Sequence, residues 1–265
     1  MTRMSEGSEA GAAARLHELG GSDGQPEVVL IHGFGADRLS WLANAPALAA
    51  SFKVWGVDLP GHGDTEPAGD DSLDGLVDAV LAGISARTSG KLHLVGHSLG
   101  GAVALRLAER APDRVRSVVL IAPVGLGEGI DRDFTAGFAG LDEPDGALLL
   151  LQRLVARPRL INKPMAIHVL AHLDKPGRRQ AIAALADRLP EIEQATRDAI
   201  GAIRQSDLPR MVIWGADDAI NPLDLDRMSG LGGEQHVVPA AGHLPQVEEF
   251  KLVNGWLQAF LTANS

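Results

Sequence analysis

The sequence predicts an α/β fold: a mostly parallel, doubly wound sheet carrying an inserted helical cap. Two observations predict it. Short β-branched runs alternate with longer helical patterns, and one gap between strand runs is helical throughout and too long for a simple crossover. Residues 1–14, MTRMSEGSEAGAAA, are small and polar and are expected to form a flexible lead-in, with the fold starting near Arg15. Strand runs follow at EVVLIH (27–32), FKVWGVDL (52–59), KLHLV (91–95), RVRSVVLIA (114–122), RMVIWG (210–215) and EQHVVPA (234–240). Near-continuous apolar runs of this kind suit strands covered on both faces. Helical periodicity fills about 38–50, 72–88, 98–110 and 246–263. Between Pro123 and Ser206 the prolines punctuate DGALLLLQRLVARP, KPMAIHVLAHLDKP, RRQAIAALADRLP and EIEQATRDAIGAIRQ, which reads as a set of short helices. The expected organisation is a core of 15–122 and 207–265 with a cap of 123–206.

Composition narrows the function classes. Against 34 acidic side chains stand 24 basic ones, a formal net charge of −10, and no basic block exceeds pairs such as Arg178-Arg179. Nucleic-acid binding is disfavoured. The absence of cysteine removes disulfides, thiolate metal sites and a cysteine nucleophile. No apolar run approaches a membrane span and the N-terminus has no secretory h-region, so no membrane association and a cytoplasmic location are expected.

The chemistry concentrates at Gly96-His97-Ser98-Leu99-Gly100, where a strand run turns straight into a helical one. Such a corner has little room for Cβ atoms around its apex, and the glycines relieve it. A G-x-S-x-G between strand and helix is a nucleophile elbow that lifts a serine hydroxyl above the sheet. The plainer alternative is a turn whose serine caps the helix.

A serine needs a general base, and the base needs an acceptor to fix its tautomer. Downstream histidines are His168, His172, His236 and His243. His168 and His172 are four apart on one helix face, as pocket-lining or packed residues; no zinc-peptidase Glu accompanies them and no metal is expected. His236 lies within a strand run and reads as structural. His243, in the loop AAGHLPQ after that strand, can lean over the carboxyl edge of the sheet and is the candidate base. The acid belongs after the preceding strand, where MVIWGADDAINP offers Asp217 and Asp218, and spacing does not separate them.

Two backbone donors are needed for a developing oxyanion. Leu99 N–H follows the serine, and Phe34 N–H lies in HGFG after the strand run EVVLI. His32 is expected to orient that loop by hydrogen bonding, while Asp58 and His62 of DLPGHG read as structural. For a substrate pocket the cap supplies Phe134, Phe138, Leu150, Leu151 and Met165, an apolar inventory suited to a small, weakly polar acyl group. No cofactor is expected.

Taken together, LIHGFG, VDLPGHG, LVGHSLGGAVAL, VIWGADD and AAGH resemble the α/β-hydrolase fold family from about residue 15 to the end. In that family the acid usually closes a G-x-x-D turn, so the resemblance implies Asp218, with Ser98 and His243 as its catalytic partners. A narrower resemblance, carried by IAPVGLGEGIDRDFTAGFAG and the following insertion, is to the hydrolase-type domain of acetoin dehydrogenase dihydrolipoyl acetyltransferase subunits. It implies passage of an acyl group from a lipoyl domain to coenzyme A as partners. No lipoyl-type hairpin precedes residue 15, the only Asp-Lys (Asp174-Lys175) falls in the cap, and the His-x-x-x-Asp-Gly signature of ordinary dihydrolipoyl acetyltransferases is missing. The resulting expectation is a serine hydrolase or acyl-transfer enzyme acting on a small acyl ester or thioester. A carbon–carbon bond hydrolase of the meta-cleavage type, or an inactive binding module on the same fold, are its competitors.

Overall fold

The protein was analysed as a computed structural model that describes residues 13–265, so most of the expected lead-in lies outside the described residues. Seven strands form one sheet: β1 (Arg15–Gly20), β2 (Glu27–Ile31), β3 (Lys53–Asp58), β4 (Leu92–His97), β5 (Val115–Ile121), β6 (Arg210–Gly215) and β7 (Glu234–Val238). Their spatial order is β1-β3-β2-β4-β5-β6-β7, with only β1 antiparallel to its neighbour. The chain steps outward from β2 to β3, then returns to place β4 on the other side of β2. This reversal opens a crevice beyond the carboxyl ends of β2 and β4, where open α/β sheets gather their ligands.

The central strands earn their burial from composition. Val28, Val29, Leu30 and Ile31 of β2 and Val118, Val119, Leu120 and Ile121 of β5 are wholly buried, half of each strand facing one helical layer and half the other. One layer contains α2 (Leu73–Ser85) and α3 (Leu99–Arg110); the other contains α1 (Ala45–Leu48) and α10 (Phe250–Ala263). β1 had no strand signal, because Leu16 and its neighbour Ala14 turn toward one layer and a half-buried Leu19 toward the other, while the rest of the edge remains polar. The helical stretch expected over 38–50 resolves into a single 3₁₀ turn, Arg38–Trp41, capped by Asp37, followed by α1.

Between β5 and β6 lie α4 (Arg132–Ala139), α5 (Pro144–Gln152), α6 (Lys163–Leu173) and α7 (Arg178–Gln205). The expectation of short helices throughout fails at α7, which runs 28 residues through Pro190. Proline removes one N–H and normally breaks a helix. Here Leu185, Leu189 and Ile192 on both sides of it are buried in the core that also holds α3, and this packing carries the helix past the defect. A separate apolar cluster joins Phe134, Phe138, Leu151, Ile161, Ala166, Leu170 and Ile182 across the four helices. After β6, α8 (Leu225–Leu231), β7 and α9 (Pro245–Glu248) lead into α10. Among the described residues no helix is long and apolar enough to cross a membrane.

Candidate active site

Ser98 occupies the corner between β4 and α3 with φ 53° and ψ −115°, a conformation that costs a non-glycine residue about 1–3 kcal/mol. Its side chain makes no capping bond to the helix, which separates it from an ordinary N-cap serine. The strained backbone is held from several sides: Ser98 N–H donates to Ile121 O (2.8 Å), and Ser98 O accepts from Gly101 N–H and Val124 N–H (both 3.0 Å). The flanking glycines are obligatory by contact. A Cβ on Gly96 would lie 2.2 Å from Gly100 O, and one on Gly100 would lie 2.2 Å from Ile31 O.

His243 Nδ1–H donates to Asp218 Oδ2 at 2.8 Å, while Asp218 Oδ1 accepts from the N–H groups of Ile220 and Asn221 (both 2.9 Å). Ser98, Asp218 and His243 are 5%, 6% and 3% exposed, so little water competes for these groups. Asp217 is exposed, its N–H donating to Ala241 O. The structure thus brings Asp218, not Asp217, to the histidine. Ser98 and His243 line one small cavity of about 100 Å³, together with Phe34, Phe134, Thr135, Leu154 and Ile220. The N–H groups of Leu99 and Phe34 have no hydrogen-bond acceptor among the described residues.

Three neighbours that the sequence did not single out fix the main chain around His243. His243 N–H donates to Leu154 O (2.8 Å), His243 O accepts from His97 Nε2–H (2.8 Å), and Gly242 N–H donates to Glu248 Oε1 (2.6 Å). The His97 ring also packs edge-on against His243, with centroids 4.7 Å apart. Burial, reinforced by the nearby His243, holds the His97 imidazole well below its ordinary pKa and therefore neutral. Glu248 also accepts from Arg157 N–H (3.2 Å), so one buried carboxylate ties the His243 loop to the segment after α5; burial raises its pKa against those donors. The available signals were weak: His97 is the variable position of the elbow, and Glu248 is one of two adjacent glutamates after His243.

The loop after β2 is held by histidines in the way expected of His32. Its Nδ1–H donates to Gly33 O (2.8 Å) and its Nε2 accepts from Leu59 N–H (3.0 Å). His62 Nε2 accepts from Gly35 N–H (3.0 Å), and burial, with repulsion from His32, pushes its pKa down to about 3. Asp58 accepts from the N–H groups of Arg38 and Asp64 (both 2.9 Å), which outweigh burial and hold its carboxyl below the usual range. His17, Asp58 and Asp64 cluster within metal-ligating distance of one another. The guanidinium of Arg38 pairs with both carboxylates, at 3.0 Å from Asp64. His236 stacks on Trp256 at 4.0 Å, a packing role.

The pocket residues divide. Phe134 lines the cavity at Ser98, whereas Leu151 and Met165 line a larger groove of about 550 Å³ that also touches His168 and His172. Phe138 and Leu150 line neither. Phe138 is buried edge-on against Phe34, with centroids 5.5 Å apart, behind the loop after β2, and Leu150 packs half-buried in the helical cluster.

Comparison with known proteins agrees with this architecture. Residues 28–255 match the model of the alpha/beta hydrolase family. The chain is 40% identical over 254 residues to the dihydrolipoyllysine-residue acetyltransferase component of the acetoin cleaving system of Pseudomonas putida, covering 95% of this chain and 67% of that protein. It is 35% identical over 209 residues to a pimeloyl-[acyl-carrier protein] methyl ester esterase of Neisseria meningitidis serogroup A, covering 76% of this chain and 64% of the relative. Among solved structures, a meta-cleavage product hydrolase of Pseudomonas fluorescens superposes with a TM-score of 0.83 at 25% identity, covering 95% of both chains. The chain belongs to the alpha/beta hydrolase family, and it is an enzyme of that family.

Proposed function

We propose that the protein transfers a small acyl group from an ester or thioester to water or to a thiol, with Ser98 as nucleophile, His243 as general base and Asp218 as the group that orients and charges the base. The observation that carries this reading is the buried 2.8 Å contact of His243 Nδ1 with Asp218, on the same cavity wall as a strained Ser98. With Nδ1 committed to Asp218, Nε2 is the nitrogen left to accept the serine proton. Ser98 Oγ attacks the carbonyl carbon, and the proton passes to Nε2. The imidazolium is stabilised by the carboxylate, and the carbonyl oxygen, now anionic, takes the N–H groups of Leu99 and Phe34. Leu99 also opens α3, whose N-terminal dipole favours negative charge there. Collapse returns the proton to the departing alcohol or thiol, and water or a second thiol then releases the acyl group by the same steps reversed.

The helices over 123–206 act in this reading as a cap, with Phe134 and Leu154 in the wall of the cavity at Ser98 and Leu151 and Met165 in that of the neighbouring groove. Likeness to the dihydrolipoyllysine-residue acetyltransferase component supports a thiol acceptor; this reading takes a lipoyl domain and coenzyme A as partners and the cytoplasm as the location. Likeness to a meta-cleavage product hydrolase supports the second reading, carbon–carbon bond hydrolysis of a diketone at the same serine.

Fluorophosphonate labelling tests the nucleophile, followed by a panel of p-nitrophenyl esters, thioesters and a meta-cleavage diketone. Ser98→Ala should lose labelling and turnover while keeping its thermal unfolding midpoint, since the hydroxyl contributes no core volume. Wild-type esterase activity in that variant would end the elbow reading. An acetylated lipoyl domain with coenzyme A then separates the acceptors, acetyl-CoA marking transfer and free acetate marking hydrolysis.

A further inference from the structure

Two strained turns meet at the candidate nucleophile. Ser98 has φ 53°, and Ala122, which follows β5, has φ 44°, in a region that residues with a Cβ seldom adopt. Hydrogen bonds join the two turns: Ser98 N–H donates to Ile121 O (2.8 Å), and Val124 N–H donates to Ser98 O (3.0 Å). Backbone strain of this kind persists only where the surroundings over-determine it, so whatever fixes the turn at Ala122 also fixes Ser98.

Asn221 fixes that turn. It is wholly buried in the loop after β6, three residues beyond Asp218. Its side-chain Nδ2 donates to two successive carbonyls, Ala122 O (3.1 Å) and Pro123 O (3.0 Å), a place that only a group with two N–H donors fills. Its main-chain N–H donates to Asp218 Oδ1 (2.9 Å), and its own carbonyl accepts from Nε1–H of the buried Trp214 on β6 (3.0 Å). One residue thus holds the carboxylate with its backbone and the support of Ser98 with its side chain. Asn221 itself lines neither the cavity at Ser98 nor the neighbouring groove, although Ile220 before it lines the former.

We infer that Asn221 is a positioning residue: by clamping the loop of Asp218 to the strained turn under Ser98, it sets the nucleophile and the Asp218–His243 pair in register with each other. This rests on the acyl-transfer reading above and adds a residue to its machinery.

Two variants test it from opposite sides. Asn221→Leu keeps nearly the same shape and removes both donors. Gly127→Ala leaves Asn221 unaltered but displaces its amide, because a Cβ on Gly127 would lie 2.1 Å from Asn221 Oδ1. In folded Asn221→Leu, kcat on a p-nitrophenyl ester and the rate constant of fluorophosphonate labelling at Ser98 should both fall at least about tenfold, as expected when reacting groups lose alignment. KM should stay within about twofold, because no atom of Asn221 lines the binding walls. Gly127→Ala should move the same two constants in the same direction, and it decides the question by the same criteria where Asn221→Leu does not fold. A merely structural asparagine would lower the fraction of protein that labels and leave the rate constant of the labelled fraction at the wild-type value. That result, or a rise in KM at constant kcat, overturns the inference alone. Wild-type protein whose Ser98 does not label overturns the acyl-transfer reading and this inference with it.

Discussion

At the scale of single residues, two adjacent aspartates provide the sharpest contrast. Asp218 offers one oxygen to His243 and the other to two backbone N–H groups, so its orientation is over-determined, whereas Asp217 points outward. Asp218→Asn should therefore lower kcat by about four orders of magnitude, since an amide at this position favours the wrong imidazole tautomer and supplies no charge. Asp217→Asn should leave steady-state kinetics little changed. Stopped assays on one p-nitrophenyl ester decide the ranking, and the reverse order would move the acid to Asp217.

At the scale of elements, the loop that carries His243 is a junction. β7 delivers His243, α9 brings Glu248 back beneath Gly242, β4 contributes His97, and the segment after α5 supplies Leu154 O and Arg157 N–H. Glu248→Ala would strand the N–H groups of Gly242 and Arg157, at a cost of about 1–3 kcal/mol for each that water cannot reach. The expected result is a loss of about 2–4 kcal/mol in urea unfolding together with, on the proposed mechanism, a lower kcat at nearly unchanged KM, because His243 is displaced and the groove is not. Unchanged kcat in a folded variant would show that the junction is redundant. No periodicity could have revealed it: its partners lie far apart in the chain, and one of them is a backbone carbonyl.

The whole molecule carries an acid sensitivity in its buried imidazoles. Burial pushes His62 down to about 3 and His93 and His172 to about 4, and lowers His32 and His97 as well. A histidine unfolds to an ordinary pKa of about 6.5. Below that pH the unfolded chain binds protons that the folded chain refuses, so stability falls as pH drops from about 6.5 toward about 3. A fully buried group such as His62 contributes up to about 1.4 kcal/mol per pH unit in that window. Urea unfolding at pH 7.5, 6.0 and 5.0 should show a level region followed by steepening loss, and His62→Gln, which keeps an acceptor for Gly35 N–H, should flatten the slope. A stability independent of pH over this range would mean that these imidazoles titrate freely.

By itself the sequence determined what short-range sterics and periodicity encode. A serine framed by glycines between a strand run and a helical run leaves few backbone solutions, so the corner at Ser98 was legible, as were six strands and the helical stretch between β5 and β6. Tertiary structure decided whatever depends on partners distant in the chain. The spacing allowed Asp217 or Asp218, and only the fold brings one of them against His243. Pro190 reads locally as a helix end, yet burial of α7 against α3 carries the helix through it. β1 exists because β3 presents an edge to pair with, not because RLHELG alternates strongly. Phe138 and Met165 are both apolar residues of one helical stretch, but packing buries the first behind Phe34 and leaves the second on the groove rim. Local backbone preferences act over a few residues and are written in consecutive letters; the shape of a cavity is a sum over many distant contacts, and only the packed chain evaluates it.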